Sequence, residues 1–256
     1  MSSPVFIVTG ASKGIGKAIA LQSLTKFNAR VVAVARSAEL LDALKADATK
    51  LGKHDALELL VGDVTSQDVA RHAVSRALDK WGQLNAVIAN AGVLEPIATV
   101  AESPVEGWKH LFDVNFFSVI TLVQEALPAL RKSKGAIIMV SSGAASKGYR
   151  AWGAYGASKA AMNHLAETLS AEEPDIATIA VRPGIVDTDM QGLIRSNGQE
   201  AMKDDHKKFV ELHEAGKLVR PEEPGHVLAA LAAKAPLNLS GTFVSWDDEE
   251  LKEYRA

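Results

Sequence analysis

The chain has 256 residues, 47% of them hydrophobic and 23% charged, enough for one large α/β domain or two small ones with a buried core. The formal net charge is −3 and the pI about 6.2, so no overall basic field draws nucleic acid or acidic lipid. With no cysteine, disulfides, thiolate chemistry and cysteine-ligated metals are excluded.

The opening "MSSPVFIVTGASKG" lacks a basic region ahead of a long apolar stretch and does not read as a secretory signal. No apolar run of membrane-spanning length stands out. We therefore expect a soluble cytoplasmic protein with neither membrane nor nucleic-acid partners. Short apolar runs then alternate with stretches of helical period. "VFIVTG" at 5–10 has the pattern of a buried strand, and "KAIALQSLTKF" that of a helix. "RVVAVAR" is a second strand and "AELLDALKADATKL" a second helix. "ALELLVGDV" reads as a third strand, although its leucines also suit a helix. "DVARHAVSRALDKWG" is a helix, "LNAVIANAG" a fourth strand, and "WKHLFDVNFFSVITLVQEALPALRK" one long helix. "GAIIMVSSG" is the fifth strand, "GAYGASKAAMNHLAETLSAEE" the next helix and "IATIAVRPG" the sixth strand. Residues 187–220 are polar and weakly periodic around "KDDHKK", a solvated helix face or a lid over a site. "EEPGHVLAALAAK" and "GTFVSW" supply a last helix and a last strand. Strands alternating with helices and uninterrupted by a linker predict one α/β domain over 1–256. Its seven-stranded, mainly parallel sheet is doubly wound, with helices on both faces and the 187–220 insertion on top.

The first strand meets the first helix at "TGASKGIG", with Gly10, Gly14 and Gly16 and, between them, Ser12, Lys13 and Ile15. Missing side chains let backbone approach a pyrophosphate, and a helix N-terminus offers free N–H groups to an anion. The spacing G-x-x-x-G-x-G departs from the usual dinucleotide fingerprint, and a plain tight turn is the alternative. The second strand ends in Ala35 and Arg36, where an NAD-binding acid would sit about 20 residues past the turn. Lys13 and Arg36 without a carboxylate suit the 2′-phosphate of NADP(H); otherwise they are solvated surface cations. Asp63, beside Val64, is placed to accept from an adenine amino group. Asn90, Ala91 and Gly92 end the fourth strand at the ligand crevice of a parallel sheet.

Tyr155 and Lys159 lie four residues apart, on one helix face. An ammonium near a phenol favours the phenolate and tunes it for proton transfer. The alternative is a partly buried tyrosine with a snorkelling lysine. Ser142 ends the fifth strand, where its hydroxyl can bond a substrate oxygen as charge develops there. Asn115, in the long helix, is either a satisfied structural amide or the holder of a water. The seven histidines show no metal-binding spacing, so no metal is expected.

Taken in order, the glycine turn, Asp63, "NAG" at 90–92, Asn115, Ser142, Tyr155, Lys159 and "PGIVDT" at 183–188 resemble the classical short-chain dehydrogenase/reductase family over nearly the whole chain. The resemblance implies Tyr155 as catalytic acid/base, Lys159 tuning it and holding the nicotinamide ribose, Ser142 orienting the carbonyl and Asn115 supporting a water relay. It implies that Pro183, Gly184, Val186 and Thr188 line the nicotinamide, that the Lys13 and Arg36 pattern follows the NADP-preferring members, and that the protein is a homodimer, with a tetramer as the alternative. "EEPDIATIAVRPGIVDTDMQ" and "AWGAY" further resemble the sepiapterin-reductase and fungal benzil-reductase branches. That likeness points to an NADPH-dependent reductase of a small ketone or diketone. It also makes Asp248, or its neighbour Asp247, a candidate substrate contact, with an acidic surface tail as the alternative. Leu94, Trp152 and Met190 are candidate pocket walls or core packing. A 3-oxoacyl thioester or polyol substrate, and a non-catalytic NADP-sensing regulator, are the rival functions.

Overall fold

Valine, isoleucine and alanine runs with no polar alternation can be buried on both faces, and they build the sheet here. The computed structural model describes residues 3–234 and 236–255. The strands are β1 (Val5–Thr9), β2 (Arg30–Ala35), β3 (Leu57–Val61), β4 (Ala86–Ala89), β5 (Ala136–Val140), β6 (Ala177–Arg182) and β7 (Phe243–Ser245). They form one seven-stranded sheet in the order β3-β2-β1-β4-β5-β6-β7. Every pairing in it is parallel among the described residues. The leucine-rich run at β3 is thus a strand, at the sheet edge.

Side chains alternate across the pleat. Phe6, Val8, Val31 and Ile138 pack on one face with Ile19 and Leu24 of α1 (Gly14–Lys26), Leu41 and Leu44 of α2 (Ala38–Lys50), and Leu228 and Leu231 of the last helix (Glu222–Lys234). Val5, Ile7, Val32, Ile137 and Met139 pack on the other with α3 (Gln67–Trp81), and with Leu122, Leu130, Met162 and Leu169 from two helices described next. Burial of each large aliphatic side chain contributes roughly 1.5–3 kcal/mol, so both layers hold the sheet.

The long helix predicted before β5 is interrupted. It runs as α4 (Val105–Phe112), a π-helical turn (Asp113–Phe117) and α5 (Ser118–Ser133), and Asn115 lies in the π turn. By length and composition Val105–Ser133 would suffice to cross a bilayer, which corrects the expectation that no stretch does. Here Val119, Leu122, Val123, Ala126 and Leu130 bury its inner face against the sheet. The catalytic-helix candidate is α6 (Gly153–Glu172). Residues 187–220 fold as α7 (Asp189–Asn197), α8 (Gln199–Met202) and α9 (Asp204–Glu214). The base of this insertion is closed by Asp187 N–H donating to the Val219 carbonyl at 2.9 Å and Val219 N–H to the Ile185 carbonyl at 3.0 Å. The last helix is α10 (Glu222–Lys234). The chain reverses direction across the sheet between β1 and β4, and the loops after the strands open there at their carboxyl ends, the usual place for a ligand crevice.

Candidate active site

The glycine turn has a steric reason at each position. Gly10 and Gly14 have φ of 64° and 52°, the left-handed region that side chains disfavour. At Gly16 a Cβ would lie 2.1 Å from the Gly10 carbonyl oxygen. Helix α1 then starts with no side-chain cap and no acid in its first turn, so its N–H groups and dipole face the cleft unneutralised. Asn90 holds the turn from beneath: its amide donates to the carbonyls of Thr9 at 2.9 Å and Gly10 at 3.3 Å. A Cβ-free cradle over an uncapped helix start fits a dinucleotide pyrophosphate.

From this turn a cleft of about 800 Å³ runs across the strand ends to α6 and the 187–220 insertion. The predicted cofactor residues and the predicted pocket residues Leu94, Trp152 and Met190 all line it, as do Ser142, Tyr155 and Lys159. Arg36 is exposed at the end of β2, where its charge helps hold the Asp63 carboxyl below its usual range, after a hydrogen bond from the Thr65 amide. Lys13 is already engaged, its Nζ 2.7 Å from Asp189 at the start of α7. Both partners are well exposed, so the pair contributes little stability but ties the turn to the insertion.

Ser142 caps the short turn Gly143–Ala145, its Oγ accepting from the Ala144 amide at 3.2 Å. Helix α6 packs close to this turn because residue 156 is glycine: a Cβ there would lie 2.9 Å from the Ala144 carbonyl oxygen. That approach sets the Tyr155 hydroxyl beside the Ser142 side chain. Burial drives the phenol above its ordinary pKa, and the neighbouring Ser142 hydroxyl partly offsets this. Lys159, 3% exposed, donates from Nζ to the Val140 carbonyl at 2.8 Å and sits 5.8 Å from the centre of the Tyr155 ring. Desolvation pushes its ammonium down to about 8. The direction at Tyr155 thus differs from the expected lowering by lysine: the ammonium meets the ring face and a carbonyl, and burial dominates.

Asn115 is fully buried and lies behind the cleft rather than on its wall. Its Oδ1 accepts from the Val93 amide at 2.8 Å, and its Nδ2 donates to the Val93 carbonyl at 2.9 Å and to Ser158 Oγ at 3.3 Å. It clamps the loop after β4 onto α6, so of its two readings the satisfied amide is the one visible. Asp248 also lies off the cleft. Its carboxylate accepts from the Ser245 amide at 2.6 Å, and Asp247 accepts from the Ser245 hydroxyl at 2.6 Å. Both acids tie down the turn after β7, which differs from the expected substrate contact.

Sequence reasoning passed over Tyr149, Phe209, Gln191 and Arg182, which also line the cleft. Trp152 is 5.0 Å from Tyr149, 5.2 Å from Phe209 and 5.7 Å from Tyr155, centroid to centroid. The insertion therefore supplies an aromatic wall, through Phe209 of α9. Arg150 secures it: its amide donates to Asp205 at 2.7 Å and its Nε to the Ala201 carbonyl at 2.9 Å. No local pattern marks Phe209 as a pocket residue, because its partners lie some sixty residues away in the chain.

Comparison with known proteins agrees with this geometry. The family model described as short chain dehydrogenase matches residues 4–199. An uncharacterized oxidoreductase of Schizosaccharomyces pombe is 47% identical over 244 residues, covering 94% of this chain and 96% of that one. A benzil reductase ((S)-benzoin forming) of Saccharomyces cerevisiae is 37% identical over 259 residues, covering 96% and 97%. The crystal structure of a short-chain dehydrogenase/reductase from S. cerevisiae superposes with a TM-score of 0.94 at 41% identity, covering 99% of this chain and all of that one.

Proposed function

The chain belongs to the short-chain dehydrogenase family of oxidoreductases, and from that premise we propose that it is an NADPH-dependent reductase of small ketones and vicinal diketones. One observation carries the reading: Tyr155, set beside Ser142, faces a cleft that continues from the glycine turn and is walled by Tyr149, Trp152 and Phe209. The benzil reductase among its relatives supports a diketone, and the aromatic wall supports aryl substituents.

Arg36, with no ion pair among the described residues, and the absence of an acid at Ala35 support a 2′-phosphate, hence NADPH. The glycine cradle would hold its pyrophosphate, and Lys159 and the 183–188 segment its nicotinamide end. When bound, the cofactor supplies the hydride. Ser142 orients the carbonyl oxygen and stabilises the charge growing on it. Tyr155, kept protonated by burial, donates its proton to that oxygen. Trp152 and Phe209 keep water away from the reacting carbonyl.

The test is a panel of aryl diketones, 3-oxoacyl thioesters and polyols assayed with NADPH and with NADH. The reading expects diketone reduction with NADPH preferred. Turnover confined to thioesters or polyols, or no turnover at all, contradicts it.

A further inference from the structure

Arg182 is the last residue of β6. Its backbone is fixed by the pairing with Ser245, by Trp246 N–H donating to its carbonyl at 2.9 Å, and by Pro183, which holds the preceding residue extended. The side chain is exposed, lines the cleft, and has no hydrogen bond or ion pair among the described residues. It lies against Gly143: a Cβ at that glycine would be 3.1 Å from Arg182 Nε and 3.4 Å from Cζ. The guanidinium thus packs on the residue next to Ser142, about 3.8 Å along the backbone. The acids that line the cleft do not claim it. Asp63 is held by Thr65, Asp189 by Lys13, and Glu95 is on the loop after β4.

We propose that Arg182 is a specificity determinant that binds an anionic substituent, so that this cleft prefers oxo acids over their neutral esters. The proposal rests on the reductase reading above. A free guanidinium matches a carboxylate with two parallel hydrogen bonds. Its place beside the Ser142 turn requires that carboxylate to lie within a few bonds of the reducible carbonyl. In the reaction the carbonyl carbon takes the hydride, the oxygen takes the Tyr155 proton, and the carboxylate passes through unchanged.

Phenylglyoxylate and its methyl ester differ mainly in that charge. Calorimetry should show the protein, with and without NADP⁺, binding the acid at least about tenfold more tightly than the ester, the scale of one charge-assisted hydrogen bond. Arg182→Met should abolish that ratio and Arg182→Lys should retain part of it. In turnover with NADPH, Arg182→Met should lower kcat/KM for the acid by at least about tenfold more than for the ester. Equal binding of acid and ester by the unaltered protein overturns the proposal, and so does a preference that survives in Arg182→Met. Should the unaltered protein reduce neither compound and no neutral diketone, the reductase reading falls, while the binding ratio still decides the role of Arg182.

Discussion

At the scale of single residues, the site is set by what burial does to Tyr155 and Lys159. Burial leaves the Lys159 ammonium at about 8 against an ordinary 10.5. Below pH 8 the folded and unfolded chains both carry that proton, and the folded state bears the cost of burying it. Between pH 8 and 10.5 the folded chain sheds it while the unfolded chain keeps it, so stability rises with pH. In urea unfolding, the stability of the unaltered chain minus that of Lys159→Met should climb by up to about 3 kcal/mol across that window. A flat difference would show that the lysine is not desolvated. Arg36→Asp should move cofactor preference from NADPH toward NADH by at least about tenfold, read as the ratio of kcat/KM values. That Ser142, Tyr155 and Lys159 share one cleft was legible because the last two lie a helical turn apart and Ser142 follows the preceding strand. The orientation of Lys159 and the commitment of Asn115 to Val93 were not, since both depend on carbonyls brought in from other strands and loops.

Individual elements succeed or fail on close backbone approach. Helix α6 reaches the Ser142 turn only because Gly156 has no side chain, so Gly156→Ala should push the two apart. We expect a loss of about 1–3 kcal/mol in unfolding free energy together with a fall in kcat, because Tyr155 leaves Ser142. An alanine variant with unchanged kcat would show that this contact does not position the phenol. Strand and helix order was readable from apolar periodicity, down to the edge strand β3. The π turn at Asp113–Phe117 was not, because its hydrogen-bond shift leaves the apolar period almost intact. The helices of 187–220 were also hidden: they bury few apolar residues of their own and depend on Phe209, Ile194 and Met202 packing on Trp152 and Leu94.

At the scale of the whole molecule, the helix Val105–Ser133 packs one side on the sheet and leaves Phe117 52% exposed. We expect this face to pair with a second copy, so sedimentation should give twice the 27.2 kDa of the chain and Phe117→Glu should shift it toward monomer. A monomeric unaltered protein would contradict that expectation. The all-parallel sheet brings the glycine turn of β1, the Ser142 turn of β5 and the loop after β6 to one edge, and α6 closes over them. We therefore assign Tyr155 the role of proton donor at that edge. Its most direct test is Tyr155→Phe, assayed for diketone-dependent NADPH oxidation beside NADPH binding by fluorescence. The prediction is a fall in kcat of at least about a hundredfold with cofactor affinity nearly unchanged. Turnover close to that of the unaltered protein would contradict it.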